Sequence, residues 1–558
     1  MGLLFCGLLV PAHLRAVDAS VLASASRRTP TLTAQGLSQI QARQLGTAQL
    51  FLLAAQAEHL PDQQNLAAAI ANLAAQDPSV RILGAPDANL GTLLNRDDLV
   101  SRASLQPLTD FVVRQEHRVQ ILRRLQASSQ PNVQALLRCR ALTNTAIFPP
   151  SDSASGQAID AAISITGLLL EGGHLNAALR DRLFALTTEA NRGGNSEPME
   201  QVLLDVMSLG QRLNWGQLVA FVGQIPDTET LRLLADRVRK VDAQLPVLFS
   251  AVALSGKPAA VAKYLMTYSQ TGLNDLGTSL RFGAGGLNEL LQRNQRLHVS
   301  SLAARTVGFA PAGMFINFTA NLSRQMPEVA LAFKWLLYLA GGFLLAAAAH
   351  FTWPAVSALE KPLQVRGFHI AREALFALGF LLVVVLLNEP FLAQESQKVE
   401  LPFHFHLPMV GSVAAAGKAI THQSNMNTQN LLTLLLFFVL QGLIYTACLV
   451  KLAEIRRQQV PARIKLKLLE NEDHLFDAGL YLGFVGTIVS FILVSMGIIQ
   501  FSIMAAYSSM SFGIIFVSVF KIFHLRPTRR TLLMEAEVAL KAAESAAPAH
   551  APTFATTP

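Results

Sequence analysis

The feature that most constrains this chain is a change of texture near residue 328. Before it, apolar stretches are broken every few residues by Arg, Gln, Asp or Asn. After it, apolar residues condense into runs as long as the roughly 20-residue helix that crosses a bilayer. Five runs stand out: residues 329–350, 374–393, 431–452, 475–499 and 501–523. The second is the weakest, because its apolar core ends at Leu387 and Asn388, Glu389 and Pro390 follow. Only a tight turn near Gln500 separates the last two, which read as a hairpin. Lys334 in the first run is placed to snorkel to the near interface. Composition agrees: 15% of the 558 residues are charged, against about 25% in a soluble chain.

Lysine and arginine in the short loops set the orientation. Lys451, Arg456, Arg457, Arg463, Lys465 and Lys467 lie between the third and fourth runs, and Lys521, Arg526, Arg529 and Arg530 follow the fifth. Both segments read as cytoplasmic, as does the loop with Lys361, Arg366 and Arg372. The segment from Glu389 to Asn430 holds only Lys398 and Lys418 and reads as external. Five spans satisfy these charges and place the residues before about 328 outside the cytoplasm. If 374–393 does not span, four helices remain and that region becomes cytoplasmic.

Export of so large a region requires a signal, and residues 1–20 resemble one. Leu3 to Val10 form an apolar core, and Val17-Asp18-Ala19 suits a small-residue cleavage site, although the basic start is missing. The alternative is an ordinary apolar first helix. The expected location is therefore the bacterial inner membrane, multi-pass, with a periplasmic N-terminal domain.

Residues 30–325 read as a soluble all-α domain. Residues 110–127 place Phe111, Val112, Val119, Leu122 and Leu125 on one side of a helix. Asp227 reads as the N-cap of a helix over 228–240, and Ser255-Gly256-Lys257-Pro258 closes one helix and opens the next. Strand patterning is confined to short pieces such as Val80–Leu83. Residues 151–156 and 283–286 read as flexible points. Short helices interrupted by proline suit a solenoid-like stack or an irregular bundle, in either case an interaction surface. The tail, 525–558, reads as cytoplasmic, with a disordered end.

Chemistry is scarce. No phosphate-cradling glycine loop with its lysine, HExxH, paired CxxC or GxSxG occurs, so no catalytic residues, no enzyme and no cofactor are expected. The net charge of +8 gathers beside the apolar runs, which excludes nucleic acid as the evident partner and points to membrane lipid. Cys6, Cys139 and Cys448 lie far apart and imply no disulfide framework. His404 and His406 alternate with Phe403 and Phe405, and with His422 they are weak metal candidates set against an amphipathic strand. Asp477 and Glu389 fit the ends of spans, and the last three runs carry no ionisable group at depth.

The hairpin carries the most specific pattern. Gly479, Gly483, Thr487 and Ser490 recur at helical spacing with Gly486 beside them, and Ser502, Ala505, Ala506, Ser509 and Gly513 share a face of the next run. Small residues let membrane helices approach closely, so Gly479, Gly483, Gly486, Ser502, Ala506 and Gly513 are expected to pack. GFVGTIVSF at 483–491 and AAYSSMSFGIIF at 505–516 resemble the last two helices of the MotA/TolQ/ExbB proton-channel family. The resemblance covers at most the last 75 or so residues. Thr487 matches the family's first pore threonine, whereas Met510 occupies the second position with Ser509 and Ser511 beside it.

The resemblance implies an ion path along Thr487, Ser490, Ser509 and Ser511. It also implies a homo-oligomer around a single-span partner that carries a membrane aspartate. The expected function is the channel subunit of a proton-driven energy-coupling complex with a periplasmic helical interaction domain. The alternative is a non-conducting membrane-anchored scaffold. A transporter fits less well, for want of an ionisable group at the midplane.

Overall fold

A computed structural model of the chain describes residues 2–87, 90, 115–153, 156–240, 242–300, 310–356, 368–391, 428–495 and 503–546. The N-terminal helices are α1 (Gly2–Leu9), α2 (Ala19–Ser26), α3 (Leu32–Gln41), α4 (Leu45–Ala57), α5 (Gln63–Gln76), α6 (Pro78–Leu83), α7 (Gln115–Gln126) and α8 (Pro131–Arg138). There follow α9 (Gln157–Glu171), α10 (Ala177–Asn191), α11 (Glu197–Gly210), α12 (Trp215–Val222), α13 (Thr228–Lys240), α14 (Leu245–Ser255), α15 (Pro258–Leu280), α16 (Gly283–Arg293) and α17 (Ala310–Gln325). The last are α18 (Pro327–Val356), α19 (Phe368–Asn388), α20 (Thr428–Arg457), α21 (Ala462–Asn471), α22 (Asp473–Phe476), α23 (Ala478–Ser495), α24 (Ile503–Phe520) and α25 (Arg526–Ala546). The all-α expectation holds: the strands among the described residues are β1 (Ala16–Asp18) and β2 (Arg296–His298), which pair in parallel with Val17 opposite Leu297. The chain forms two compact units, residues 16–325 and residues 1–15 with 326–558.

The first unit is helical because its local signals agree with its burial pattern. Asp227 caps α13 as the sequence predicts: the Thr230 amide donates to Asp227 Oδ1 at 2.7 Å and its hydroxyl to Oδ2 at 2.9 Å. Asp227→Ala is expected to cost about 1 kcal/mol in chemical denaturation of the full chain, with an unchanged denaturant slope. Gly256 ends α14 in the left-handed region at φ 62°, and Pro258 opens α15. On α7 the buried face is Ile121, Leu122 and Leu125, whereas Val119 is 39% exposed. Phe111 and Val112 lie outside the described residues.

Two expectations are corrected here. Val80–Leu83 belongs to helix α6, not a strand: Pro78 is pre-set for a first helical turn, and Asp77 Oδ1 accepts from the Val80 amide at 3.3 Å. Residues 283–286 are not a flexible point but the start of α16, where it meets α2 closely. A Cβ at Gly286 would stand 3.2 Å from the Leu22 carbonyl oxygen, and one at Gly285 would strike that of Ala25.

The two architectures considered for this unit separate on one point. In a solenoid each helix meets only its sequence neighbours. Here α4 packs on α12 and on α14, far along the chain. The Phe51 and Phe249 rings lie 6.2 Å apart, and Phe249 stacks on Phe221 at 5.8 Å. One hydrophobic core runs from Val17 to Leu297, so the unit is an irregular bundle.

A buried acid anchors one of its loops. The amides of Ala146, Ile147 and Phe148 donate to Glu200 at 2.9, 2.6 and 2.9 Å. Burial alone would raise the Glu200 pKa, but these amides and the Ser196 hydroxyl outweigh it and hold the pKa below its ordinary value. A depressed folded pKa contributes stability above the unfolded pKa, which is lost as pH falls through the folded one. Glu200→Gln is therefore expected to cost about 2 kcal/mol at neutral pH. The gap to the parent should close on acidification through and below the ordinary carboxylate range, as read by unfolding at several pH values.

In the second unit α18 pairs with α19, α19 with α20, α20 with α24, and α24 with α23, while α25 lies on α21. Three helices among the described residues are long and apolar enough to cross a membrane: Pro327–Ala349, Leu434–Arg457 and Tyr507–Lys541. This is fewer than the five expected. The second and fourth runs appear as shorter apolar stretches, Glu373–Asn388 and Ala478–Ile488. The helices that contain these stretches are longer, 21 residues for α19 and 18 for α23. Beyond the fifth run, a π turn at Lys521–Leu525 carries α24 directly into α25. Much of the tail is therefore helix, and 547–558 lie outside the described residues.

Most of the leader core expected at Leu3 to Val10 lies in helix α1, which packs along α18 within this unit.

Candidate functional site in the last hairpin

The contact between α23 and α24 is made by glycine. A Cβ at Gly483 would stand 2.9 Å from the Ser509 carbonyl oxygen and 3.2 Å from Met510 Cα. One at Gly513 would meet the Gly479 carbonyl oxygen at 2.6 Å, and one at Gly486 would strike the Ser509 hydroxyl. Gly479 faces Val517 Cγ2 and Gln441 Oε1, each 3.0 Å from its would-be Cβ. Backbone meets backbone along this seam, a separation that larger side chains at these positions would not permit.

The polar residues of the seam divide. Thr487 is buried, and its hydroxyl donates to the Gly483 carbonyl at 3.0 Å, within its own helix. Ser509 is buried, and its Oγ has no hydrogen-bond partner among the described residues. Ser511 is exposed and donates to the Tyr507 carbonyl at 3.0 Å, so the structure does not bring it together with Thr487 and Ser509. Ser490 lies on α23 and Ala506 on α24, but their side chains lie outside the described set, as does all of Ser502. His404, His406 and His422 also lie outside the described residues.

One residue of this seam escaped the sequence reading. Gln441, on α20, is 1% exposed. Its Nε2 donates to the Gly479 carbonyl at 3.0 Å, and its Oε1 has no hydrogen-bond partner among the described residues. A signal was available, since Gln441 is the one amide side chain in the run 431–452 and sits near its middle. Buried polar atoms without partners are uncommon in folded proteins and ask for a reason.

The ends of the hairpin are fixed by charge and aromatic packing. Lys521 Nζ lies 2.6 Å from Asp477, and Arg529 lies 2.8 Å from Asp473. The Tyr445 hydroxyl and His524 Nε2 share a hydrogen bond at 2.9 Å beside Phe516 and Phe520. Asp477 thus sits at the foot of α23 in an ion pair, in keeping with its expected place at the end of a span.

A second polar group lies in the first hairpin of this unit. Lys334 is 3% and Glu389 7% exposed, and their charged atoms are 3.7 Å apart. Lys334 does not snorkel outward: its Nζ donates to the Ala12 carbonyl at 2.7 Å. Glu389 accepts from the Leu14 amide at 2.9 Å and lies 3.7 Å from His13 Nδ1. Proximity of a lysine in one apolar run to an acid at the end of the next was not legible, because it depends on how α18 and α19 pair.

No family model matches this chain, and no curated protein or solved structure is significantly similar to it. The functional reading therefore rests on the residues and their geometry.

Proposed function

We propose that the chain is a multi-pass protein of a bacterial inner membrane that anchors a helical interaction domain, and that its last hairpin is built for packing. The observation that carries this reading is the α23–α24 seam, where the small faces are filled by each other's backbone. With α19, 21 residues long, counted among the spans, the loop charges place the irregular bundle of residues 16–325 in the periplasm, where it serves as the recognition domain. The outward faces of the hairpin carry Tyr481, Phe484, Val485, Ile514 and Ile515, each about half exposed, which suits lipid or neighbouring copies of the chain. A periplasm-active reporter fused near residue 320 is expected to be active. A stable but inactive fusion would return the N-terminal unit to the cytoplasm.

A second reading, the channel subunit of a proton-driven complex, is favoured by a separate observation. Among the described residues, Ser509 Oγ and Gln441 Oε1 are buried without hydrogen-bond partners in the seam that also buries Thr487. In this reading the chain oligomerises around a single-span partner that supplies the membrane aspartate. Proton flux into proteoliposomes holding the purified chain, alone and with the single-span product of a neighbouring gene, separates the two. Packing alone predicts flux at the empty-vesicle level in both. Flux that Thr487→Val and Gln441→Leu each reduce at least about tenfold, a difference of roughly 1.4 kcal/mol in barrier, would establish the channel.

A further inference from the structure

We propose that residues 2–15 are a strap of the working protein, docked along α18 and holding α18 and α19 together through Lys334 and Glu389, and not a leader removed after Ala19. An ammonium and a carboxylate taken out of water are costly unless paired and fully hydrogen-bonded. In this unit the hydrogen bonds that complete the pair come from the N-terminal segment. Ala12 gives its carbonyl to Lys334, and Leu14 gives its amide to Glu389. His13 adds its ring, with Nδ1 3.2 Å from Lys334 Nζ and 3.7 Å from Glu389. Without residues 12–14 the same two charges would remain beside apolar helices with these bonds unmade.

The rest of the segment fits α18 closely. A Cβ at Gly7 would stand 2.6 Å from the Tyr338 ring, so only glycine allows this approach. One helical turn on, Leu4 covers Gly341, with Leu4 Cγ 2.8 Å from where a Cβ would be. The contacts Leu4–Gly341, Gly7–Tyr338 and Ala12–Lys334 run in opposite order along the two segments, so α1 lies antiparallel to α18. Small residues where the helices cross, followed by polar closure at one end, are the features of a permanent intramolecular interface.

Two measurements on the full chain, extracted from membranes, test the strap. Intact mass and N-terminal peptide mapping are expected to recover residues before Ala19 in the folded protein; a mature chain that begins at Ser20 would overturn the proposal. The second uses cysteine pairs in a background with Cys6, Cys139 and Cys448 replaced by serine. Leu4→Cys with Gly341→Cys is expected to cross-link under mild oxidation as fully as a control pair in the hairpin, Gly342→Cys with Ala377→Cys. Gly7→Leu, which drives a side chain into Tyr338, is expected to lower the first cross-link at least fivefold and leave the control unchanged. Failure of Leu4→Cys/Gly341→Cys while the control forms would show that the segment does not dock, and equal loss of both pairs would show that α1 is not a separable strap.

Discussion

Lys334→Met is expected to destabilise the C-terminal unit by about 3–5 kcal/mol, and adding Glu389→Gln to the same chain should recover most of that loss. The asymmetry follows from where the pair sits. Both side chains are nearly inaccessible, so removal of the lysine takes the ammonium away from a buried carboxylate and leaves it facing the His13 ring in an apolar bundle. Glu389→Gln removes that charge and keeps an oxygen able to accept from the Leu14 amide, which Glu389 now does at 2.9 Å. A double-mutant cycle on unfolding in detergent reads the coupling directly. Additive single effects, or Lys334→Met indistinguishable from the parent, would mean that the two charges are solvated and that the pair carries no weight. The same cycle read by the Leu4–Gly341 cross-link reports whether the charges hold the N-terminal segment in place.

Much of the first unit could be read from local sequence because its signals are local. Asp227 with Thr228–Lys240, and the Gly256-Lys257-Pro258 break, each lie within a few residues of the structure they specify. The misreadings had physical causes of the same scale. Val80–Leu83 has the β-branched, apolar composition of a short strand, but a proline at the first helical position and the Asp77 cap decide for helix. The glycines at 283–286 resemble a linker in composition, yet Gly285 and Gly286 are small because α2 passes over them, and Gly283 turns the chain at φ 64° against Pro30. The closure of the bundle by Phe51 on Phe249 joins distant helices, and no local pattern encodes it.

In the second unit, periodicity located the apolar runs, and the glycine spacing picked out residues that the structure sets in one seam. What it could not supply was the third helix. Gln441 reaches the seam from α20, and its role depends on the packing of α20 against α23 and α24. Lys334 and Glu389 likewise resembled interfacial residues when each was considered with its own run. Pairing the runs turns them into one buried group. Residues that matter through tertiary contact were therefore present in the sequence as isolated polar exceptions in apolar runs, without any indication of their partners.

The seam itself offers the sharpest contrast between two single substitutions. Gly483→Leu is expected to cost about 3 kcal/mol and to split α23 from α24, because its Cβ alone would stand 2.9 Å from a backbone oxygen that cannot move independently of α24. Thr487→Val, almost the same shape, should cost under about 1 kcal/mol. The hydroxyl it removes donates to the Gly483 carbonyl, which keeps its ordinary helical bond. Thermal unfolding in detergent, together with the cross-linked size of the chain in membranes, separates stability from assembly. A loss of assembly in Gly483→Leu beside an intact Thr487→Val is the outcome that packing demands. If Thr487→Val folds and assembles like the parent but loses ion flux in proteoliposomes, the threonine acts on ions, and the glycines serve to bring it to the seam.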